Sequence, residues 1–282
     1  ENIPADGGAL VVSNHSGTIP VDGLMTMVTV HDHAHRFLRP LGADLVFRLP
    51  VVSEIARKGG VTLACNEDAE RMLRGGEIVG VWPEGFKGIG KPFSERYKLQ
   101  RFGRGGFVST ALRQGAPIIP CSIVGAEAIY PMIGSAKSLA RVLGFPYFPL
   151  TPTFPWLGPL GAVPLPTKWT IQFGEPILTD GYPPEAAEDP MLMFNLTDQV
   201  REQIQHTLYK LLVQRRSAVF SGGEWDGGGR PECRRRRRRR WRSLLVVVGA
   251  RAPARGRVVR GAWGAGGRVG LGGGGGGGGG GW

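Results

Sequence analysis

The first apolar run, Gly8-Ala-Leu-Val-Val-Ser13, is short, carries β-branched residues and closes on the polar stretch Asn14-His15-Ser16-Gly17. A run of that length between polar brackets predicts a buried strand and a loop. Pro20 then suits the first turn of a helix over roughly Val21–Val30. Pro50–Lys58 predicts a second helix, stopped by Gly59-Gly60. Asn66-Glu67-Asp68 reads as an N-cap with acidic first-turn residues, opening a helix to about Arg74. Glu77–Trp82 predicts a strand, Phe107–Gln114 a helix, Pro117–Val124 a strand and Trp169–Phe173 another. Met193, Leu196, Val200, Ile204, Leu208 and Leu211 recur at three- and four-residue steps, the mark of an amphipathic helix of about five turns. Strands alternating with helices predict an α/β fold with a largely parallel central sheet flanked by helices.

One long stretch follows neither rhythm. Val142–Thr167 has no charged residue, but Pro146, Pro149, Pro152, Pro155, Pro159, Pro164 and Pro166 interrupt it. Each proline removes a backbone donor and obstructs the preceding helical turn, so an apolar loop is predicted rather than a spanning helix.

Charge changes the picture only at the end of the chain. Of 282 residues, 35 are basic and 23 acidic, a formal net charge of +12. Gly222–Trp282 alone holds fourteen Arg, three acidic residues and 22 of the 46 Gly. Residues 1–221 are therefore close to neutral and read as one globular domain. The remainder, 222–282, reads as a disordered low-complexity tail. The whole-chain charge thus gives no ground for specific nucleic-acid binding, although Arg234–Arg240 would attract any polyanion. Cys65, Cys121 and Cys233 form no CxxC pair, which argues against a zinc knuckle or a disulfide framework and favours a reducing compartment. The first residue is Glu1 rather than Met, so the chain is expected to begin inside a longer protein, with any upstream anchor out of view.

Two places carry candidate chemistry. In Asn14-His15-Ser16-Gly17-Thr18-Ile19-Pro20-Val21-Asp22, a His just past a buried strand precedes an Asp in the next helix's first turn. A catalytic base needs a partly desolvated imidazole and a carboxylate to set its tautomer. The plain alternative is a polar loop whose Asp serves its own helix N-terminus. In Val81-Trp82-Pro83-Glu84-Gly85-Phe86-Lys87-Gly88, a strand ends in Pro-Glu-Gly. Lys87, Lys91, Arg96, Lys98, Arg101 and Arg104 follow, opposed only by Glu95, and suit a phosphate or an anionic surface. The same segment imitates a nucleotide P-loop, but Pro92 stands where Ser or Thr would hold magnesium. His31-Asp-His-Ala-His35 has alternating His without a partner cluster, and a solvated helix end is the expectation rather than a metal site. No GxSxG elbow is present.

Together, Asn14-His15…Asp22, Trp82-Pro83-Glu84-Gly85-Phe86-Lys87 and Ala116-Pro-Ile-Ile-Pro120 resemble the blocks of the glycerolipid acyltransferase superfamily, in its order. Gly60–Val79 and Phe173-Gly-Glu-Pro-Ile177 resemble the mono- and diacylglycerol acyltransferase branch. The likeness covers about residues 8–215. It implies acyl transfer from a thioester, acyl-CoA or acyl carrier protein, to a hydroxyl of a glycerolipid or lysophospholipid. His15 would be the general base and Asp22 its partner, with Glu84, Gly85, Lys87 and Arg48 binding the acceptor. Asn14, Pro83 and Pro120 would be structural neighbours of the site. No metal or bound cofactor is implied. The chain would work peripherally on the cytoplasmic face of a membrane. The proline-rich loop, with Phe145, Tyr147, Phe148, Phe154 and Trp156, could dock on that surface or cover an acyl channel, its plain alternative being a long connection that covers the core. Six residues separate His15 from Asp22, against four in the usual pattern, so the loop must bulge near Gly17 and Pro20 to join them. Phe86-Lys87 replaces Thr-Arg, which keeps the charge and loses the bidentate fork. Two other classes compete: a lipid-binding protein of this fold without turnover, and a polyanion binder acting through the tail.

Overall fold

The computed structural model describes residues 2–103 and 105–220, the last five by backbone alone. Arg104, Cys233, the Arg-rich run and the rest of the tail lie outside the described residues.

Strand β1 (Ala9–Ser13) is buried at every position. Its side chains alternate, so both faces of the sheet must be covered. Helix α1 (Val21–Ala34) follows, then β2 (Leu38–Gly42), α2 (Asp44–Arg48), α3 (Pro50–Lys58), β3 (Thr62–Leu63), α4 (Asn66–Arg74) and β4 (Ile78–Val81). After the short helix α5 (Phe86–Ile89) come α6 (Gly106–Gln114) and β5 (Ile118–Val124). A two-stranded ribbon, β6 (Gly134–Ser135) with β7 (Pro149–Leu150), brackets α7 (Lys137–Leu143). Strand β8 (Thr170–Phe173) and α8 (Pro190–Phe220) complete the fold.

The main sheet runs in the order β3-β2-β4-β1-β5-β8. All its neighbours are parallel except β8, which pairs antiparallel with β5. This is the largely parallel sheet that the alternation of strands and helices predicts. Leu10, Val12, Val79, Ile118 and Val124 pack under α4, α6 and α8 on one face. Ala9, Val11, Ile78, Ile119 and Ile123 pack with Val30 of α1 on the other. The expected stripe of α8 is buried from Leu196 to Leu211. The helix is 31 residues long, well beyond five turns. Its extra start is set by Asp189, whose Oδ1 accepts the N–H of Met191 at 2.8 Å and of Leu192 at 3.3 Å.

Some expectations are corrected. Asn66 is not the cap of α4 but its first helical residue, and its Oδ1 accepts from the Thr110 hydroxyl at 3.0 Å. The uncharged stretch Val142–Thr167 is not one loop: it holds the end of α7, strand β7 and a 3-10 turn at Gly158–Ala162. Pro120 lies inside a central strand, opposite Val12 on one side. Its carbonyl accepts Gly174 N–H at 2.7 Å on the other, just where β8 ends, so its missing N–H interrupts the ladder at a place where pairing already breaks.

Candidate active site

Register brings the two candidate segments together. Val12 of β1 pairs with Val81 of β4, so the chain leaves both strands side by side. His15 lies three residues past Val12 and Glu84 three past Val81, at the carboxyl ends of parallel strands, where open α/β sheets place their sites. Asn14 fastens the start of the loop to β5. Its amide donates to the Ile123 carbonyl at 3.1 Å and its Oδ1 accepts Ile123 N–H at 2.8 Å.

The loop then bulges as the longer spacing requires. Gly17 has φ 103° and Thr18 φ 66°. A Cβ on Gly17 would lie 2.9 Å from the Ala126 carbonyl oxygen, so this bend needs glycine twice over. Thr18 pays for its left-handed backbone with two contacts: its hydroxyl donates to the Tyr130 carbonyl at 2.8 Å, and its carbonyl accepts from the Tyr147 hydroxyl. The bend returns the chain so that Asp22, fully buried in the first turn of α1, meets the start of the loop. Asp22 Oδ2 lies 2.7 Å from His15 Nδ1 and accepts Ser16 N–H at 3.0 Å, while Oδ1 accepts Gly23 N–H at 2.9 Å. Six intervening residues therefore do not separate the pair. A carboxylate only accepts, so it selects the imidazole tautomer with hydrogen on Nδ1 and a lone pair on Nε2. The His15 side chain keeps 13% of its surface exposed, and the Trp82 ring lies 5.9 Å away. Ser16 Oγ and Trp82 Nε1 are buried without a hydrogen-bond partner among the described residues. Burial pushes the Cys121 thiol up to about 12, so this neighbour of Asp22 stays protonated.

The Pro-Glu-Gly segment is a turn. Gly85 N–H donates to the Trp82 carbonyl at 3.0 Å, with Pro83 second and Gly85 fourth, where those residues are favoured. Gly85 has φ 53° and ψ −142°, a region open to glycine alone. The Glu84 carboxylate is buried and taken up by main chain. Its Oε1 accepts His15 N–H at 2.8 Å and its Oε2 accepts Gln100 N–H at 2.7 Å, so both oxygens serve the scaffold. Lys87 is exposed on α5. Arg48 is not gathered in: it is exposed on α2 and pairs with Asp44 one turn earlier. Lys91, expected in an open basic loop, is buried and paired with Glu127. His31 and His33 lie exposed in the last turn of α1, with His35 capping it, and no metal-binding cluster occurs among the described residues.

Sequence reasoning missed three contributors. Gly88 lets α5 approach the His loop: a Cβ there would lie 2.7 Å from the His15 carbonyl oxygen and 2.7 Å from Glu84 Cβ. Glu127 has no motif around it, and its partner Lys91 lies 36 residues earlier. The third is an apolar groove of about 410 Å³ that begins at Thr18, Ile19 and Phe86. It is lined by Leu45, Val46, Leu49 and Val52 from the α2–α3 segment and by Phe145, Phe148 and Phe154 from the proline-rich stretch. The proline-rich stretch is expected to dock on a membrane or cover an acyl channel, but no sequence signal points to Leu45, Val46, Leu49 and Val52 beside it.

Comparison with known proteins follows this geometry. Residues 1–124 match the family model described as Acyltransferase. That segment holds the His15 loop and the Pro-Glu-Gly turn, and the likeness is to this family. An uncharacterized protein of Mycobacterium tuberculosis (strain H37Rv) is 63% identical over 222 residues, covering 78% of this chain and 62% of that protein. An uncharacterized protein of Mycobacterium leprae (strain TN) is 60% identical over the same length, covering 60% of its own chain. The chain thus spans about three fifths of these relatives. Among solved structures, the 1-acyl-sn-glycerophosphate acyltransferase PlsC of Thermotoga maritima is 20% identical with a TM-score of 0.48, covering 74% of this chain and 68% of its own. No helix among the described residues is long and apolar enough to cross a membrane.

Proposed function

We propose that this chain transfers a fatty acyl group from a thioester to a hydroxyl of a glycerolipid or lysophospholipid. The observation that carries the reading is the 2.7 Å contact between His15 Nδ1 and buried Asp22, beside an apolar groove large enough for a chain of methylenes. With its tautomer so set, His15 presents a basic Nε2. The acceptor hydroxyl loses its proton to Nε2 as its oxygen attacks the thioester carbonyl carbon. Asp22 stabilises the imidazolium. Collapse of the tetrahedral intermediate breaks the carbon–sulfur bond, and the leaving thiolate recovers the proton from His15.

The groove would hold an acyl chain of donor or acceptor. Lys87, exposed on α5, would meet a head group, as a point charge rather than a fork. Acyl-CoA or acyl carrier protein enters as substrate, and the reading requires no metal or bound cofactor. Exposed Val142, Trp156, Leu160 and Val163 support peripheral contact with a membrane; its cytoplasmic face is part of the same proposal. The close His15–Asp22 contact favours turnover over a binding role alone. The test is a panel of glycerolipid and lysophospholipid acceptors with one labelled acyl-CoA, His15→Ala serving as control. Transfer to at least one acceptor, lost in the variant, is expected. Equal product from both proteins would overturn the reading.

A further inference from the structure

A second charged cluster lies beneath the His15 loop and takes no part in the reaction above. The Lys91 ammonium, its side chain 4% exposed, sits 2.9 Å from Glu127 Oε1 and 3.8 Å from Glu84 Oε2. It also donates to the Lys98 carbonyl at 3.2 Å. Each carboxylate in turn holds main chain. Glu127 Oε2 accepts Tyr97 N–H at 2.8 Å, and Glu84 accepts the N–H groups of His15 and Gln100. One cation therefore serves two buried carboxylates that fasten the loop after α5 and the start of the His15 loop. A buried carboxylate without a countercharge takes up a proton instead.

We propose that Lys91 is a positioning residue: its ammonium, set between Glu84 and Glu127, holds the Glu84 carboxylate where it fixes the His15 main chain. The functional half of this inference rests on the reading of His15 as the base. The reason lies in donor and acceptor count. An ionised carboxylate only accepts, and Glu84 has an N–H group on each oxygen. A proton on either oxygen makes it a donor facing a donor, so one of the two bonds is lost. The charged and titratable groups around Glu84 come from four elements. Lys91 follows α5, and Glu127 stands in the 3-10 turn after β5. Tyr97, in the loop between, interacts with Glu127, with Arg96 beside it and with Arg215 of α8. His15 and Asp22 complete the set from the β1–α1 loop. Glu127 repels a charge on Glu84, and burial holds the Glu127 carboxyl above its ordinary range even though Lys91 pulls it down. Among the described residues, Lys91 is the cation in ion-pair range of Glu84, so removing it leaves Glu84 facing Glu127 alone.

The test reads the His15 amide directly. With isotope-labelled histidine, the chain's five His give a sparse amide spectrum, and His15→Gln identifies the peak. In the unsubstituted chain, the His15 amide proton should take the downfield position expected of an N–H bonded to a carboxylate oxygen. In Lys91→Met it should move upfield. Glu84→Gln should move it upfield as well. Lys91→Met/Glu127→Gln, which removes a cation and an anion together, guards against loss of the fold and should also leave the peak upfield of its unsubstituted position. Acyl transfer by Lys91→Met should fall about tenfold in kcat, with KM little changed. An unsubstituted-like amide position in whichever of the two Lys91 variants folds overturns the proposal. The amide shift needs no substrate, so a chain that transfers no acyl group would defeat the reading of function while this result still judged the role of Lys91.

Discussion

The sheet-end cluster and the proline-rich segment solve opposite problems within one domain. Around His15 most polar groups are buried and paired, and several of the bonds join segments far apart in sequence: Asn14 to Ile123, His15 to Glu84, Glu84 to Gln100. Between Val142 and Thr167 the chain exposes apolar side chains instead, with Val142 83% exposed and Trp156 71%. The first region fixes geometry by making any displacement break several hydrogen bonds at once. The second has no charge to desolvate and lines a groove with aromatic rings. Rigid chemistry and adaptable apolar contact are thus assigned to separate stretches that meet at Thr18, whose carbonyl accepts from Tyr147.

The largest effect expected is at the paired imidazole. His15→Ala should lower transfer by roughly 10²–10⁴-fold with the fold intact, the usual loss for a general base. Retention of more than about a tenth of the rate would remove His15 from that role. Asp22→Asn keeps the shape and gives up the charge, so a loss of about tenfold or more is expected, read in the same assay. A mild change would show that the two residues meet without acting together.

Gly88→Ala probes the close approach that keeps the polar region rigid. The new methyl would press on the His15 carbonyl, which is main chain and yields little. Denaturant unfolding should show a loss of about 1–3 kcal/mol, with slower transfer. Unchanged stability would mean that α5 moves aside freely.

The apolar region is tested by co-sedimentation of residues 1–221 with anionic and neutral vesicles. Binding should have a salt-sensitive part from Lys87, Arg96, Lys98 and Arg101 and a salt-resistant remainder from the exposed apolar side chains. Trp156→Ser with Leu160→Ser should lower the salt-resistant part several-fold, as loss of interfacial apolar area requires. Absence of binding to either vesicle type would defeat the membrane contact. The smallest effect belongs to the tail: without residues 222–282, transfer should stay within about twofold while retention on a polyanion column falls, since a run of Arg binds such surfaces whatever the fold. A large loss of transfer would give the tail a part in the reaction.

Much of the framework was legible from local pattern. β1, β4, β5 and β8 and the buried stripe of α8 follow from run length and spacing, because period and burial are written residue by residue. The pieces that escaped are those whose local signal is weak. β2 carries Pro40, β3 is two residues long, and α5 is a four-residue helix made of Phe86-Lys-Gly-Ile89. Each exists through its neighbours rather than its own propensity.

The candidate site divides the same way. The candidate residues, His15 and Pro83-Glu84-Gly85 past the strand ends and Asp22 in the first turn of α1, were legible in the sequence, since a polar loop following a buried strand is where an α/β sheet places a site. Whether His15 and Asp22 touch was not, because six intervening residues permit many paths and only the bend at Gly17 and Thr18 selects one. The tasks of the charged residues were likewise decided by tertiary structure. Lys87, Lys91 and Arg48 look alike in sequence, yet one is exposed beside the site, one is buried between two carboxylates and one pairs with Asp44 away from it. A charge has no period and no direction along the chain, so its partner is set by what the fold carries to within a few ångströms of it.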